Sequence, residues 1–226
     1  MSQKDSLTRK TIHAHVEALG LVPVVRAPSA EVAIRAARAV YAGGVDVLEI
    51  TMTVPDALGV LRRLTAELGE RVILGAGTVL DAETARACVA AGARFLVSPG
   101  LDLETIRAAR ELDVPMMPGA LTPTEVITAW KAGADMVKIF PCSAAGGADY
   151  IRALKAPLPQ VKMLPTGGVD RETAADYIRA GASALGLGAA LVDLKVLERD
   201  GEEALAVRAR ELVEIVRATR AAMKAA

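Results

Sequence analysis

The stretch Ala42-Gly43-Gly44-Val45-Asp46-Val47-Leu48-Glu49-Ile50 decides how this chain is read, because its pattern returns three times. The counterparts are Ala91-Gly92-Ala93-Arg94-Phe95-Leu96-Val97, Ala132-Gly133-Ala134-Asp135-Met136-Val137-Lys138-Ile139 and Ala180-Gly181-Ala182-Ser183-Ala184-Leu185-Gly186. Each follows an Ala/Arg/Glu-rich stretch with helical spacing of apolar residues, such as 31–41 or 83–89. Glycine at a helix C-terminus takes the left-handed conformation, and a short apolar strand then begins. Working outward, the other apolar runs complete eight strands, near 21–25, 46–51, 72–75, 94–98, 114–117, 135–140, 161–165 and 183–187. Several are apolar almost throughout, as strands are when helices cover both faces of a parallel sheet. Eight β-then-α units predict an α/β protein, a single (β/α)8 TIM barrel. It has an extra N-terminal helix at 7–19 and a closing helix at 203–223, with residues 1–226 as one domain. A doubly wound open sheet is the competitor. Its glycine-rich dinucleotide turn is missing after the first strand, where Arg26-Ala27-Pro28-Ser29 stands.

Composition narrows the function classes. The 226 residues carry 27 basic and 27 acidic side chains, which gives no electrostatic reason to expect nucleic acid or an acidic membrane as partner. Hydrophobic residues make up 52 % and exclude disorder, while aromatics at 3 % leave a core of Ala, Val, Leu and Ile. Cys88 and Cys142 do not make a disulfide scaffold, and a reducing compartment is the default. No apolar run reaches the roughly 20 residues of a membrane span. The polar start, residues 1–10, lacks the apolar centre of a signal peptide. A cytoplasmic protein is expected.

In a parallel barrel the chemistry sits at the C-terminal ends of the strands. Lys138 is the only one of the eight lysines that is flanked by strand-like apolar residues and close to such an end. Desolvation there favours the free amine, which is a nucleophile; the bland alternative is a lysine that snorkels to the rim. Glu49 is the second polar intruder. Alternation puts Val47, Glu49 and Thr51 on one face, and if that face is the interior, Lys138 is the natural partner of the carboxylate. A buried ion pair without catalysis is the competing reading. Arg26 ends the first strand and is placed to bind an anion at the same rim, or to make a surface ion pair. Two glycine-rich turns, Pro165-Thr166-Gly167-Gly168-Val169-Asp170 and Gly186-Leu187-Gly188-Ala189-Ala190-Leu191, follow the last two strands. That is the frequent phosphate site of such barrels, with each turn expected to lead into a helix N-terminus. His13 and His15 are the only histidines and face different directions, so a histidine-built metal site is excluded. Cys142 has no histidine near it to form a dyad. Cys88 and Trp130 read as packing residues.

Together these residues make a familiar set. Leu48-Glu49-Ile50-Thr51, Gly75-Ala76-Gly77-Thr78-Val79, Ser98-Pro99-Gly100, Met117-Pro118-Gly119 with Thr122-Pro123-Thr124-Glu125, Lys138-Ile139-Phe140-Pro141 and Pro165-Thr166-Gly167-Gly168 occur in order. The chain, from about residue 21 to 192, resembles the 2-keto-3-deoxy-6-phosphogluconate (KDPG) aldolases, a family that includes 4-hydroxy-2-oxoglutarate aldolases. The resemblance implies a class I aldolase without metal or cofactor, working through a covalent imine. It assigns Lys138 as the Schiff-base lysine and Glu49 as the general acid/base. It places Arg26, Thr78, Pro99, Phe140 and Thr166 around the pyruvyl group, and Gly167, Gly168 and Gly188 in the phosphate turns. Family members are usually trimers, so a homotrimer acting on small 2-keto acids and aldehydes is expected.

Two departures stand out. Thr53 occupies a substrate-binding position where many members have arginine, so carboxylate recognition leans on Arg26 and backbone donors. Ala189 occupies a phosphate-binding position that often carries serine, and the loss of one hydrogen bond to a charged group is worth on the order of 1.5–3 kcal/mol. The rival readings are a non-catalytic or engineered assembly subunit built on this barrel, and another phosphate-binding barrel enzyme such as a phosphoribosyl isomerase. The placement of Lys138 leaves the second unexplained.

Overall fold

The computed structural model describes residues 8–225. The four repeats fold as their glycines require. Helices α2 (Ala30–Ala42), α4 (Ala82–Ala90), α6 (Pro123–Ala132) and α8 (Ala174–Arg179) end beside Gly44, Gly92, Gly133 and Gly181, which have φ of 88, 109, 95 and 99°. The strands that follow are β2 (Val47–Thr51), β4 (Phe95–Val97), β7 (Val137–Ile139) and β9 (Leu185–Leu187). Between these units lie β1 (Leu21–Val25), α3 (Ala57–Leu68), β3 (Ile73–Gly77), α5 (Leu103–Glu111), α7 (Gly147–Lys155) and β8 (Met163–Pro165). Helices α9 (Leu194–Asp200) and α10 (Glu202–Ala225) close the described chain, and α1 (Arg9–Leu19) opens it with a capping box on Thr8. Leu7, the expected start of α1, lies outside the described residues.

All strand pairs are parallel and form two curled sheets. One has six strands in the order β5 (Met116–Met117), β4, β3, β2, β1, β9, and the other three, β6 (Gly119–Ala120), β7, β8. The expected fifth strand differs from the sequence reading. It divides into β5 (Met116–Met117) and β6 (Gly119–Ala120) around Pro118, which has no N–H to give to a ladder. An isolated bridge, Thr166 to Gly186, links the end of β8 to β9.

Side chains sort by strand face. Leu48, Ile50, Leu74, Leu96, Val137, Ile139 and Leu185 point outward into the layer shared with the helices. Val22, Val47, Ile73, Phe95, Val97, Met117, Met136, Leu164 and Ala184 fill a separate inner cluster. Helix α1 covers the floor of that cluster with Ile12 and Val16. Each contributes about 1.5–3 kcal/mol by burial. Polar ties hold the helix there: Arg9 Nε donates to both Asp135 oxygens at 2.8 and 3.0 Å, and Lys162 Nζ lies 2.5 Å from Glu17 Oε1. Lys162 thus serves the floor, at the end of the strands opposite Lys138. No helix among the described residues is long and apolar enough to cross a membrane.

Candidate active site

The inner face changes character toward the strand C-termini. Above the apolar floor its positions are Glu49 on β2, Gly75 and Gly77 on β3, Gly119 on β6, Lys138 on β7, Thr166 after β8 and Gly186 on β9. Alternation is the cause: Val47 belongs to the inner cluster while Leu48 and Ile50 belong to the outer one, so Glu49 and Thr51 face inward as expected. Lys138 likewise sits between outward-facing Val137 and Ile139.

Lys138 is 7 % exposed and Glu49 2 %. Burial pushes the Glu49 carboxyl above the ordinary carboxylate value, and the positive charges of Lys138 and then Arg26 oppose that rise. The expected partnership of Glu49 with Lys138 takes the form of a charge interaction through space; among the described residues no ion pair or hydrogen bond joins them. The Lys138 ammonium position is instead 5.0 Å from the centroid of the Phe140 ring, which stands two residues further along at the half-exposed mouth. Among the described residues neither this buried acid nor this buried amine has a hydrogen-bond partner, and glycines share their face of the strands.

The other candidates surround this pair. Arg26 is exposed at the end of β1, near enough to act on Glu49 through its charge, and no described residue hydrogen-bonds its guanidinium. Thr53 is exposed and shares a 2.7 Å hydroxyl–hydroxyl hydrogen bond with buried Thr51, whose hydroxyl donates to the Val25 carbonyl at 3.3 Å. Thr51 is a residue that the sequence reading placed on the inner face without assigning it; its signal was its place two residues after Glu49. Thr78 is held at φ 61°, a left-handed conformation unusual for a β-branched residue, where β3 gives way to its loop. Pro99 lies against Gly119, and the Gly119 amide donates to the Gly100 carbonyl at 3.2 Å. Thr166 is buried and bridges to β9.

The two glycine turns lie side by side through the Thr166–Gly186 bridge, but their helices are not where the sequence reading put them. Helices α8 and α9 begin six residues beyond Gly168 and Gly188, at Ala174 and Leu194. Asp193 caps α9, accepting from the Lys195 and Val196 amides, and Asp170 accepts from Glu172 and Thr173 in the turn that precedes α8. The anion-attracting end of α9 is therefore capped internally, and that of α8 lies beyond a turn that Asp170 closes. What the turns do offer is loop amides. Those of Gly167, Gly168, Gly188 and Ala189 have no acceptor among the described residues. Gly168 is demanded by its backbone, with φ 73° and Ser143 alongside, whereas a Cβ on Gly188 would meet nothing within 4 Å.

The remaining polar residues fall elsewhere. His15 pairs with Asp46 at 2.9 Å and His13 lies 3.7 Å from Glu17, both on α1. The Cys142 thiol is buried near Tyr177 and pushed up to about 11 by burial, so it stays protonated at neutral pH. Cys88 is buried against Met52, and Trp130 packs on the outer core. A surface cleft of about 650 Å³ beside α10, lined by Asp170, Arg208 and Glu211 among others, includes neither Lys138 nor Glu49.

Comparison with known proteins gives this arrangement its family. The family model "KDPG and KHG aldolase" matches residues 12–207. The chain is 36 % identical over 195 residues to the KHG/KDPG aldolase of Escherichia coli strain K12, covering 86 % of this chain and 91 % of that protein. It is equally 36 % identical, over 190 residues, to the 2-dehydro-3-deoxy-6-phosphogalactonate aldolase of the same organism, covering 83 % and 92 %. Among solved structures, the KDPG aldolase of Legionella pneumophila, with pyruvate captured as a covalent carbinolamine intermediate, superposes with a TM-score of 0.81. Its sequence identity is 30 %, and the match covers 90 % of this chain and 98 % of that one. With a family model spanning most of its length and relatives above 30 % identity along it, this chain belongs to the KDPG and KHG aldolase family.

Proposed function

We propose that this chain is a class I aldolase, a lyase that cleaves KDPG to pyruvate and glyceraldehyde 3-phosphate or acts on a related 2-keto-4-hydroxy acid such as 4-hydroxy-2-oxoglutarate. The observation that carries the reading is the pair of buried inner-face groups, Lys138 and Glu49, neither hydrogen-bonded to any described residue and close enough to interact by charge. The reaction uses what they supply. The Lys138 amine adds to the C2 ketone, and loss of water leaves a protonated imine. Glu49, directly or through a water, takes the proton of the C4 hydroxyl. The C3–C4 electron pair then moves toward the imine nitrogen, the aldehyde departs and an enamine remains. Protonation of the enamine at C3 gives the pyruvate imine, and water releases pyruvate and restores the amine. The imine nitrogen is the electron sink, so no step calls for a metal or cofactor.

Arg26, Thr53, Thr78, Pro99, Phe140 and Thr166 surround the pyruvyl portion in this reading, with Arg26 as the cation for its carboxylate. Gly167, Gly168, Gly188 and Ala189 receive the phosphate through their loop amides rather than through helix ends. Open space around Gly188 supports that role. The Thr166–Gly186 bridge and the strand interrupted at Pro118 support a single eight-position TIM barrel made from the two sheets. One domain over 1–226, a homotrimeric assembly and a cytoplasmic location complete the proposal. The assembly-subunit reading is not favoured, since it gives Lys138 and Glu49 nothing to do. Steady-state cleavage assays on KDPG and 4-hydroxy-2-oxoglutarate, following pyruvate release, test the reading: turnover of at least one supports it, and turnover of neither refutes it.

A further inference from the structure

The inner face of β3 carries two glycines, Gly75 and Gly77, where alternation calls for side chains. A glycine inside a strand weakens it, and it persists where something else approaches closely. Neither has a left-handed backbone, so conformation does not require glycine at either position. Space does. A side chain at Gly75 would run into the Phe95 ring, which belongs to the apolar floor. Gly77 differs. A Cβ built there would stand 2.5 Å from Cδ and 2.7 Å from Cγ of Glu49, and closer still to Oε1; its three nearest atoms all belong to that one carboxylate side chain.

The register explains how they meet. Glu49 pairs with Gly75 across the ladder, while Gly77 pairs with Thr51, one inner-face step nearer the strand C-terminus. The Glu49 side chain leans along its strand by that one step and ends in the gap that the neighbouring strand leaves. Among the described residues the carboxyl has no hydrogen bond to hold it. The walls of the gap therefore do the work that hydrogen bonds do at other acid/base centres. We propose that Gly77 is a positioning residue: the space where its side chain would stand seats the Glu49 carboxyl in the inner layer that also holds Lys138. The inference rests on the reading of Glu49 as the acid/base group of an aldolase.

The atoms in the way are the far end of a flexible side chain, so Gly77→Ala displaces Glu49 before it disturbs the strand. Four proteins decide the matter: the wild type, Gly77→Ala, Glu49→Ala, and the double variant. For each, kcat and KM for aldol cleavage, borohydride trapping of pyruvate on Lys138, and Tm are measured. Gly77→Ala is expected to lower kcat by roughly 10²-fold, the cost of misplacing a catalytic group by about an ångström. KM and trapping stay within about threefold of wild type. Glu49→Ala removes Cγ, Cδ and Oε1, the three atoms in the way, and so frees the gap; its kcat is the low residual rate against which the double variant is compared. In that background Gly77→Ala should cost less than about threefold in kcat and should no longer lower Tm. The inference is overturned if Gly77→Ala leaves kcat unchanged, or if it costs the same factor, or the same Tm, in both backgrounds. Failure of the wild type itself to trap pyruvate overturns the aldolase reading beneath it, an outcome distinct from trapping without coupling between positions 49 and 77.

Discussion

Glu49→Gln separates the chemistry of the carboxyl from its shape. The two side chains have nearly the same volume, and at 2 % exposure the replacement fits the same space beside Gly77. Loss of the general base should slow aldol cleavage by roughly 10²–10⁴-fold, or about 2.7–5.5 kcal/mol of barrier at 1.36 kcal/mol per decade. Imine formation at Lys138 should survive. The pH behaviour follows from the direction of the shift. Burial raises the Glu49 carboxyl above its ordinary 4.5, so the folded state holds this proton more tightly than the unfolded chain does. Its contribution to stability is complete below the unfolded value and is lost as pH rises through the folded one. Above the folded value the ionised carboxylate is thus a cost, and glutamine removes its charge while keeping its shape. Tm at pH 8 should therefore rise, by about 2–4 °C for each kcal/mol recovered in a chain of this length. The gain should shrink as pH falls through the raised carboxyl value and be gone below the ordinary 4.5. In the kinetics, the acidic limb of kcat should lie above the usual carboxylate range and disappear in the variant. Paired thermal melts and kcat profiles from pH 4 to 9 check both halves. Unchanged kcat, or a lower Tm for the variant at pH 8, would refute the reasoning.

Further outcomes follow from other parts of the molecule. Lys138→Arg should abolish turnover on every substrate while leaving Tm within a few degrees, because a guanidinium cannot act as the amine nucleophile; residual activity above background in a pyruvate-release assay contradicts it. Ile12→Ala empties a fully covered position under the inner cluster and should cost about 2–5 kcal/mol in urea unfolding. A loss below 1 kcal/mol would mean that α1 does not seal the floor. Ala189→Ser adds a hydroxyl beside the free amide at 189 and should lower KM for the phosphorylated substrate by up to roughly tenfold, about 1.4 kcal/mol. KM for 4-hydroxy-2-oxoglutarate should stay unchanged; an equal response of both substrates argues against a phosphate in that turn.

The sequence made the strand positions readable because each Ala-Gly repeat couples a left-handed helix end to an apolar strand, two signals that reinforce each other within nine residues. The inward direction of Glu49 and Lys138 was equally readable, since strand alternation is a local property. Three features were not, and each depends on distance through space. Strand resumption at Gly119 beyond Pro118 needs the partner β7, which the local sequence does not display. The separation of Glu49 from Lys138 depends on how far apart β2 and β7 stand, and apolar patterning carries no such information. The cap of α9 by Asp193 and the turn closed by Asp170 before α8 were visible as residue types, but the loop lengths that withdraw those helix ends from the glycine turns were not. Gly77 was quoted within a motif, and its signal was a glycine at an inward position of a strand.

Covalent trapping of pyruvate tests the central claim most directly. The protein is incubated with pyruvate and borohydride, digested, and its peptides are weighed by mass spectrometry. The account predicts one reduced pyruvyl adduct, on the peptide containing Lys138. An adduct on Lys155 or Lys162, or none at all under conditions that label a known class I aldolase, would contradict it.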